Sequence, residues 1–135
     1  MKKEKEVKAL VFDIGGLLTN SNKDLVRKEL AKKYNLDERA LLNEILKRHN
    51  DFLIGKPIYS DYMGEISKAF NIPDSIEFSK HWEDFLEKNF TVNQDLLELI
   101  KDLSKKYLIC SLSNVTPFFE KIRIKKGVYE HIKIR

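Results

Sequence analysis

Two short stretches of the chain hold residue types that could do chemistry. Lys8 to Gly16, KALVFDIGG, is an apolar run that reaches Asp13 and then the glycine pair Gly15-Gly16. A buried parallel strand hands its functional groups to the crevice beyond its carboxyl end. A carboxylate there is a candidate nucleophile or metal ligand, and glycines allow close backbone approach. An aspartate that only closes the strand in an Asx-turn is the competing reading. The second stretch, YLICSLSN, is another apolar run, with Ser113 and Asn114 at its tip. If the two strands are parallel neighbours, Asp13, Ser113 and Asn114 meet at one sheet edge. A nucleophilic carboxylate, a hydroxyl donor and loop amides suit an anionic group such as phosphate. For Ser113 and Asn114, a turn that merely starts and caps the next helix remains the alternative.

The elements that must position these residues can be read in order. Val7 to Phe12 is a short, nearly continuous apolar run, as expected for a strand covered on both faces. A polar turn at Thr19 to Lys23 leads into four amphipathic helical segments. The first starts at a capping signal, Ser21 with Asp24, and carries Leu25, Val26, Leu30 and Tyr34. The second follows Asp37 with Leu41, Leu42, Ile45 and Leu46. The third presents Tyr59, Tyr62, Met63, Ile66 and Phe70 and stops at Asn71-Ile72-Pro73, and the fourth carries Phe78, Trp82, Phe85 and Leu86. Aromatics that keep a helical period belong to a core rather than a ligand platform. A fifth helix begins at the N-cap Asn93, carries Leu96, Leu99, Ile100 and Leu103, and hands over to a strand from Tyr107 to Leu112. Thr116 caps a sixth helix with Pro117 at its first position, and Gly127 ends it. His131 to Arg135 alternates like the opening of a third strand. This order describes an α/β fold: a right-handed parallel sheet, residues 1–19 and 91–135, with an all-α insertion over residues 20–90.

Composition narrows the function classes. The excess of 25 Lys and Arg over 21 Asp and Glu is modest and much of it lies at the two ends, which is no nucleic-acid footprint. Acidic and basic residues interleave mid-chain, as on solvated helix faces. The one cysteine, Cys110, sits in an apolar strand and excludes an internal disulfide; with no membrane span or signal pattern, a cytoplasmic setting is expected. His49, His81 and His131 lack zinc-site spacing, and Gly55-Lys56 lacks the glycine-rich approach of a phosphate loop.

VFDIGGLL, a helical insertion and then ICSLSN together resemble the haloacid dehalogenase-like (HAD) hydrolase superfamily over nearly the whole chain. The resemblance implies a parallel Rossmann-like core with an inserted helical cap, and a small phosphorylated metabolite as substrate. Asp13 would attack phosphorus to form an aspartyl-phosphate. Mg2+ would be held by the Asp13 carboxylate and the Gly15 backbone carbonyl. Ser113, the amide of Asn114 and Gly16 would bind the phosphoryl group, and the cap would exclude water and read the leaving group.

Two departures from that family pattern shape the expectation. Where most family phosphatases place a second aspartate that protonates the leaving group, this chain has Gly15, and losing a positioned general acid costs about 10²–10⁴ in rate. Activity should then favour good leaving groups, and the dehalogenases of the family share this feature. The family's third and fourth motifs, a lysine and an acidic pair, find no match here. Removing one preorganised electrostatic group costs about 10²–10³ in rate. Lys125 and Lys126 instead complement the sixth helix dipole. A truncated core would leave the first strand as an apolar edge, so self-association or recruitment of a complementary fragment is expected. An inactive relic that serves as an interaction module is the alternative from another class.

Overall fold

A computed structural model of the chain describes residues 6–54 and 59–135. Gly55-Lys56 and the Tyr59 side chain fall outside the described residues. The chain divides into two compact units, one made of Met1–Asn20 with Thr91–Arg135 and the other of Ser21–Phe90.

In the α/β unit, β1 (Ala9–Phe12) pairs in parallel with β4 (Leu108–Ser111), and Phe12 stands opposite Ser111. The Leu112 amide donates to the Phe12 carbonyl at 3.0 Å, carrying the ladder one step past both strands. On the other side of β4, Ile134 forms a single parallel bridge to Cys110, with the Ser111 amide donating to its carbonyl at 2.8 Å. The expected third strand is thus one bridge long among the described residues.

Side chains alternate across a pleated strand, and the two faces of this sheet differ. Leu10, Phe12 and Ile109 pack with Ile14, Leu18, Ile100, Val128 and Ile132. On the other face Val11 is 66% and Leu112 78% exposed. The expectation of a first strand covered on both faces is therefore corrected: among the described residues its Leu10 and Phe12 side is packed and its Val11 side is open.

The helix α5 (Gln94–Leu103) supplies Ile100 to this core, and its N-cap Asn93 accepts from the Leu96 amide at 3.1 Å. Before β4 and α5, two residues of β3 (Thr91–Val92) pair antiparallel with β2 (Thr19–Asn20). This ribbon replaces the polar turn expected at Thr19. Such short strands carry no periodicity that a sequence could display. The helix α6 (Pro117–Lys125) begins at Thr116, whose side chain accepts from the Phe119 amide, and Gly127 follows at φ 72°.

The second unit is all helical: α1 (Lys23–Tyr34), α2 (Glu38–Leu53), α3 (Tyr59–Ala69) and α4 (Ser75–Lys88). Val26, Leu30, Leu41, Met63, Ile66, Phe78, Trp82 and Leu86 are buried in it. Asn22, rather than Ser21, caps α1, accepting from the Leu25 amide in a left-handed conformation that asparagine tolerates. Leu25 and Leu46, both on the apolar positions read for these helices, are 40% and 56% exposed. No helix among the described residues is long and apolar enough to cross a membrane.

Candidate active site at the strand tips

Parallel pairing in register settles where the two chemically equipped stretches lie. Asp13 follows Phe12, Ser113 comes two residues after Ser111, and Phe12 and Ser111 are direct partners. Both tips therefore leave the sheet at the same edge. Asp13 is exposed, Ser113 half-buried and Asn114 exposed.

A tight turn fixes the backbone after Asp13. The Ile14 carbonyl accepts from the amides of Leu18 at 2.9 Å and Thr19 at 3.1 Å, and Ile14 and Leu18 are fully buried beneath it. Gly16 has φ +78°, a value that L side chains rarely adopt. Its amide donates to the Thr19 carbonyl at 2.8 Å. That N–H is already committed, so Gly16 makes the turn and offers no amide to a phosphoryl oxygen. This corrects the phosphate-binding role expected of it.

The residue that sequence reasoning missed is Arg123 on α6. It is 5% exposed, and its Nη1 donates to Ser113 Oγ at 3.0 Å and to the Tyr129 hydroxyl at 3.5 Å. A Cβ built on Gly15 would lie 3.5 Å from its Nη2. One guanidinium thus touches Ser113 from one strand tip and reaches Gly15 at the other. Its Nε is buried without a hydrogen-bond partner. Among the described residues no carboxylate forms an ion pair with it. Glu120 instead accepts from the Tyr129 hydroxyl at 2.7 Å and pairs with Arg135 at 3.5 Å, while the Arg135 guanidinium stacks over the Tyr129 ring. Burial above all holds the Tyr129 hydroxyl above its ordinary pKa, the Arg123 hydrogen bond opposing and the Glu120 bond reinforcing. Tyr129 therefore stays neutral and bridges Arg123 and Glu120.

The signal for Arg123 was present in KIRIKK. On a helix Phe119, Ile122 and Arg123 share one face. A charge on that apolar stripe is the departure worth noticing.

Magnesium prefers hard oxygen donors and is held by one or two carboxylates together with water and substrate phosphate. The Asp13 carboxylate and the Gly15 carbonyl are of that kind. No described hydrogen bond occupies the Gly15 carbonyl. Among the described residues no group of three or more His, Cys, Asp or Glu is placed to hold a metal. In kind, if not in number, these donors fit magnesium.

The fold is HAD-like: a parallel strand pair with functional groups at its tips and a helical unit inserted between them. Neither a family model nor a curated protein matches the sequence. Solved structures do. A HAD-hydrolase, YfnB from Bacillus subtilis bound to magnesium, is 15% identical with a TM-score of 0.66, over 96% of this chain and 64% of that one. The HAD family enzyme bt-2542 from Bacteroides thetaiotaomicron is 19% identical with a TM-score of 0.73, over 96% of this chain and 68% of its own. Its complex with magnesium and inorganic phosphate gives 0.71, also at 19% identity, over 67% of that chain. The present chain thus spans about two thirds of the length of these enzymes.

Proposed function

We propose that the protein is a magnesium-dependent phosphatase of HAD type acting on a small phosphate ester, with Asp13 as nucleophile. The observation that carries this reading is the parallel register of β1 and β4, which puts Asp13 and Ser113 at one sheet edge. A phosphate-bound relative of the same fold adds support.

The Asp13 carboxylate would attack phosphorus, forming a new P–O bond as the ester P–O bond breaks and the alcohol departs with the bonding pair. Water then attacks the aspartyl-phosphate and releases phosphate. Because Ser113 Oγ accepts from Arg123, its own O–H is left to donate to a phosphoryl oxygen. Asn114 would add its backbone amide. Magnesium held by Asp13 and the Gly15 carbonyl would supply charge stabilisation at the phosphoryl oxygens. Gly15 offers no proton to the departing alcohol, so that proton must come from solvent.

Two measurements test the reading. Asp13→Asn should reduce turnover of p-nitrophenyl phosphate by about 10³ or more, since the nucleophile itself is removed. The wild-type chain should hydrolyse nitrophenyl and acyl phosphates faster than alkyl phosphates by about 10²–10⁴, the weight of a general acid. Equal rates on the two ester classes, or an active Asp13→Asn variant, would refute it.

The open sheet face favours a second reading for solution behaviour. Val11, Leu108, Leu112 and Ile134 are each more than two fifths exposed and share one side of the sheet. We infer that two copies of the chain associate through this face and the β1 edge. Sedimentation velocity should show dimer growing with concentration.

A further inference from the structure

We propose that Arg123 is an oxyanion ligand built into the strand-tip site, where it and Ser113 together hold the oxygens of a phosphate monoester beside Asp13. The proposal deepens the phosphatase reading by assigning the group that binds the phosphoryl charge, and it rests on that reading for the identity of the anion.

The argument begins from the cost of burying a cation. A guanidinium taken out of water without an anionic partner is poorly compensated, and such groups persist where a ligand completes them. Arg123 is 5% exposed, yet its hydrogen-bond partners are two neutral hydroxyls, of Ser113 and Tyr129. Tyr129 directs its own proton to Glu120, which keeps that carboxylate from neutralising Arg123. Nε is buried with no hydrogen-bond partner, so the guanidinium keeps an unsatisfied donor inside the site.

Position then selects the ligand. Nη2 stands 3.5 Å from where a Cβ on Gly15 would be, at the turn that follows Asp13, and Nη1 is on Ser113. The charge thus sits between the two strand tips. A planar fork suits a tetrahedral oxyanion, and Ser113, which accepts from Arg123, keeps its own proton to donate. The missing side chain at position 15 acquires a second meaning. An aspartate there would place its carboxylate against Arg123 and neutralise it from within the protein. Glycine leaves the cation for an external anion.

Inorganic phosphate, titrated calorimetrically into the full chain at low salt, is the probe. Loss of a charge-assisted contact predicts phosphate affinity about tenfold weaker or more in Arg123→Met, a smaller loss in Arg123→Lys, and a loss comparable to that of Met in Gly15→Asp. The Arg123 Nε–H resonance should shift during the wild-type titration and saturate with it, a change that a purely structural arginine would not show. Gly15→Asp keeps Arg123 in place and carries the test even if Arg123→Met fails to fold. No phosphate binding by the wild type, or wild-type affinity in folded Arg123→Met and Gly15→Asp, would overturn the assignment. Turnover of p-nitrophenyl phosphate, followed separately in Asp13→Asn, judges the phosphatase reading. Phosphate binding that depends on Arg123 in a chain without turnover would sink the hydrolase and leave the oxyanion site standing.

Discussion

The helical unit and the α/β unit bury their apolar surface in different ways. In the helical unit the aromatic positions close on themselves: Phe78 is fully buried, Trp82 is 6% exposed, and Tyr34 meets Phe78 edge to face at 4.9 Å. In the α/β unit the sheet is one-sided. Ile109 is fully buried, while Val11, opposite its neighbour Cys110, is 66% exposed. A helix meets its neighbours along one stripe, so four of them can enclose a core. A two-stranded sheet has two faces, and α5 with the segment around Val128 and Ile132 covers one. The candidate site lies on the less enclosed unit, at strand tips held by a turn over Ile14 and Leu18.

The largest expected effect tests the two faces of the sheet against each other. Ile109→Asp places an unpaired carboxylate in the covered face and should cost more than about 4 kcal/mol, enough to unfold the α/β unit. Val11→Lys, one strand away on the open face, should change stability by less than about 0.5 kcal/mol and weaken self-association. Urea denaturation reads the first pair of numbers and sedimentation velocity the last. Similar losses at both positions would show that something covers Val11.

In the helical unit the expected response is steep instead. Phe78→Ala should lower stability by about 3–5 kcal/mol, with hydrogen exchange rising along α3 and α4. The same unit should respond to alkali. Burial pushes the Tyr62 phenol up to about 12 from its ordinary 10, and its hydroxyl donates to the Ile45 carbonyl at 2.9 Å. A folded pKa above the unfolded one gives stability that is complete below pH 10 and is lost as pH rises through 12. Two units correspond to about 2–3 kcal/mol. Tyr62→Phe should flatten that part of the pH profile in thermal melts. An unchanged profile would mean that Tyr62 is not the group responsible.

How much of this was legible in the sequence follows the range of each interaction. The caps at Asn93, Asp74 and Thr116 act over three residues, and the helices they start were readable from residue type and period. The α/β class and its parallel strand pair followed from the order of elements. Asp13 and Ser113 could be picked out because each ends an apolar run. Three features depend on how the backbone closes on itself and were not read from the sequence. The β2–β3 ribbon joins Thr19 to Val92 in segments too short for a pattern. The Gly16 amide is taken by a carbonyl three residues on, which residue type alone does not reveal. Arg123 left one trace, a charge on the apolar stripe of its helix, but its meeting with Ser113 shows only once α6 packs.

A small loss is expected in the helical unit where α1 and α4 are tied by polar groups. Glu29 accepts from Lys88 Nζ at 2.9 Å and from Asn89 Nδ2 at 2.8 Å. The Lys88 hydrogen bond, more than any other influence, holds the Glu29 carboxyl below its ordinary pKa of 4.5. A depressed carboxylate contributes stability above its unfolded pKa and loses it as pH falls through the folded value. Lys88 is two-thirds exposed, so solvent screens the pair and its worth is about 0.2–1 kcal/mol. Lys88→Ala should show that deficit at pH 7 in urea melts. The deficit should shrink with added salt and vanish in acid, where Glu29 is protonated in both proteins. A deficit that survives acid would assign the effect to the packing of the Lys88 methylenes along α4 rather than to charge.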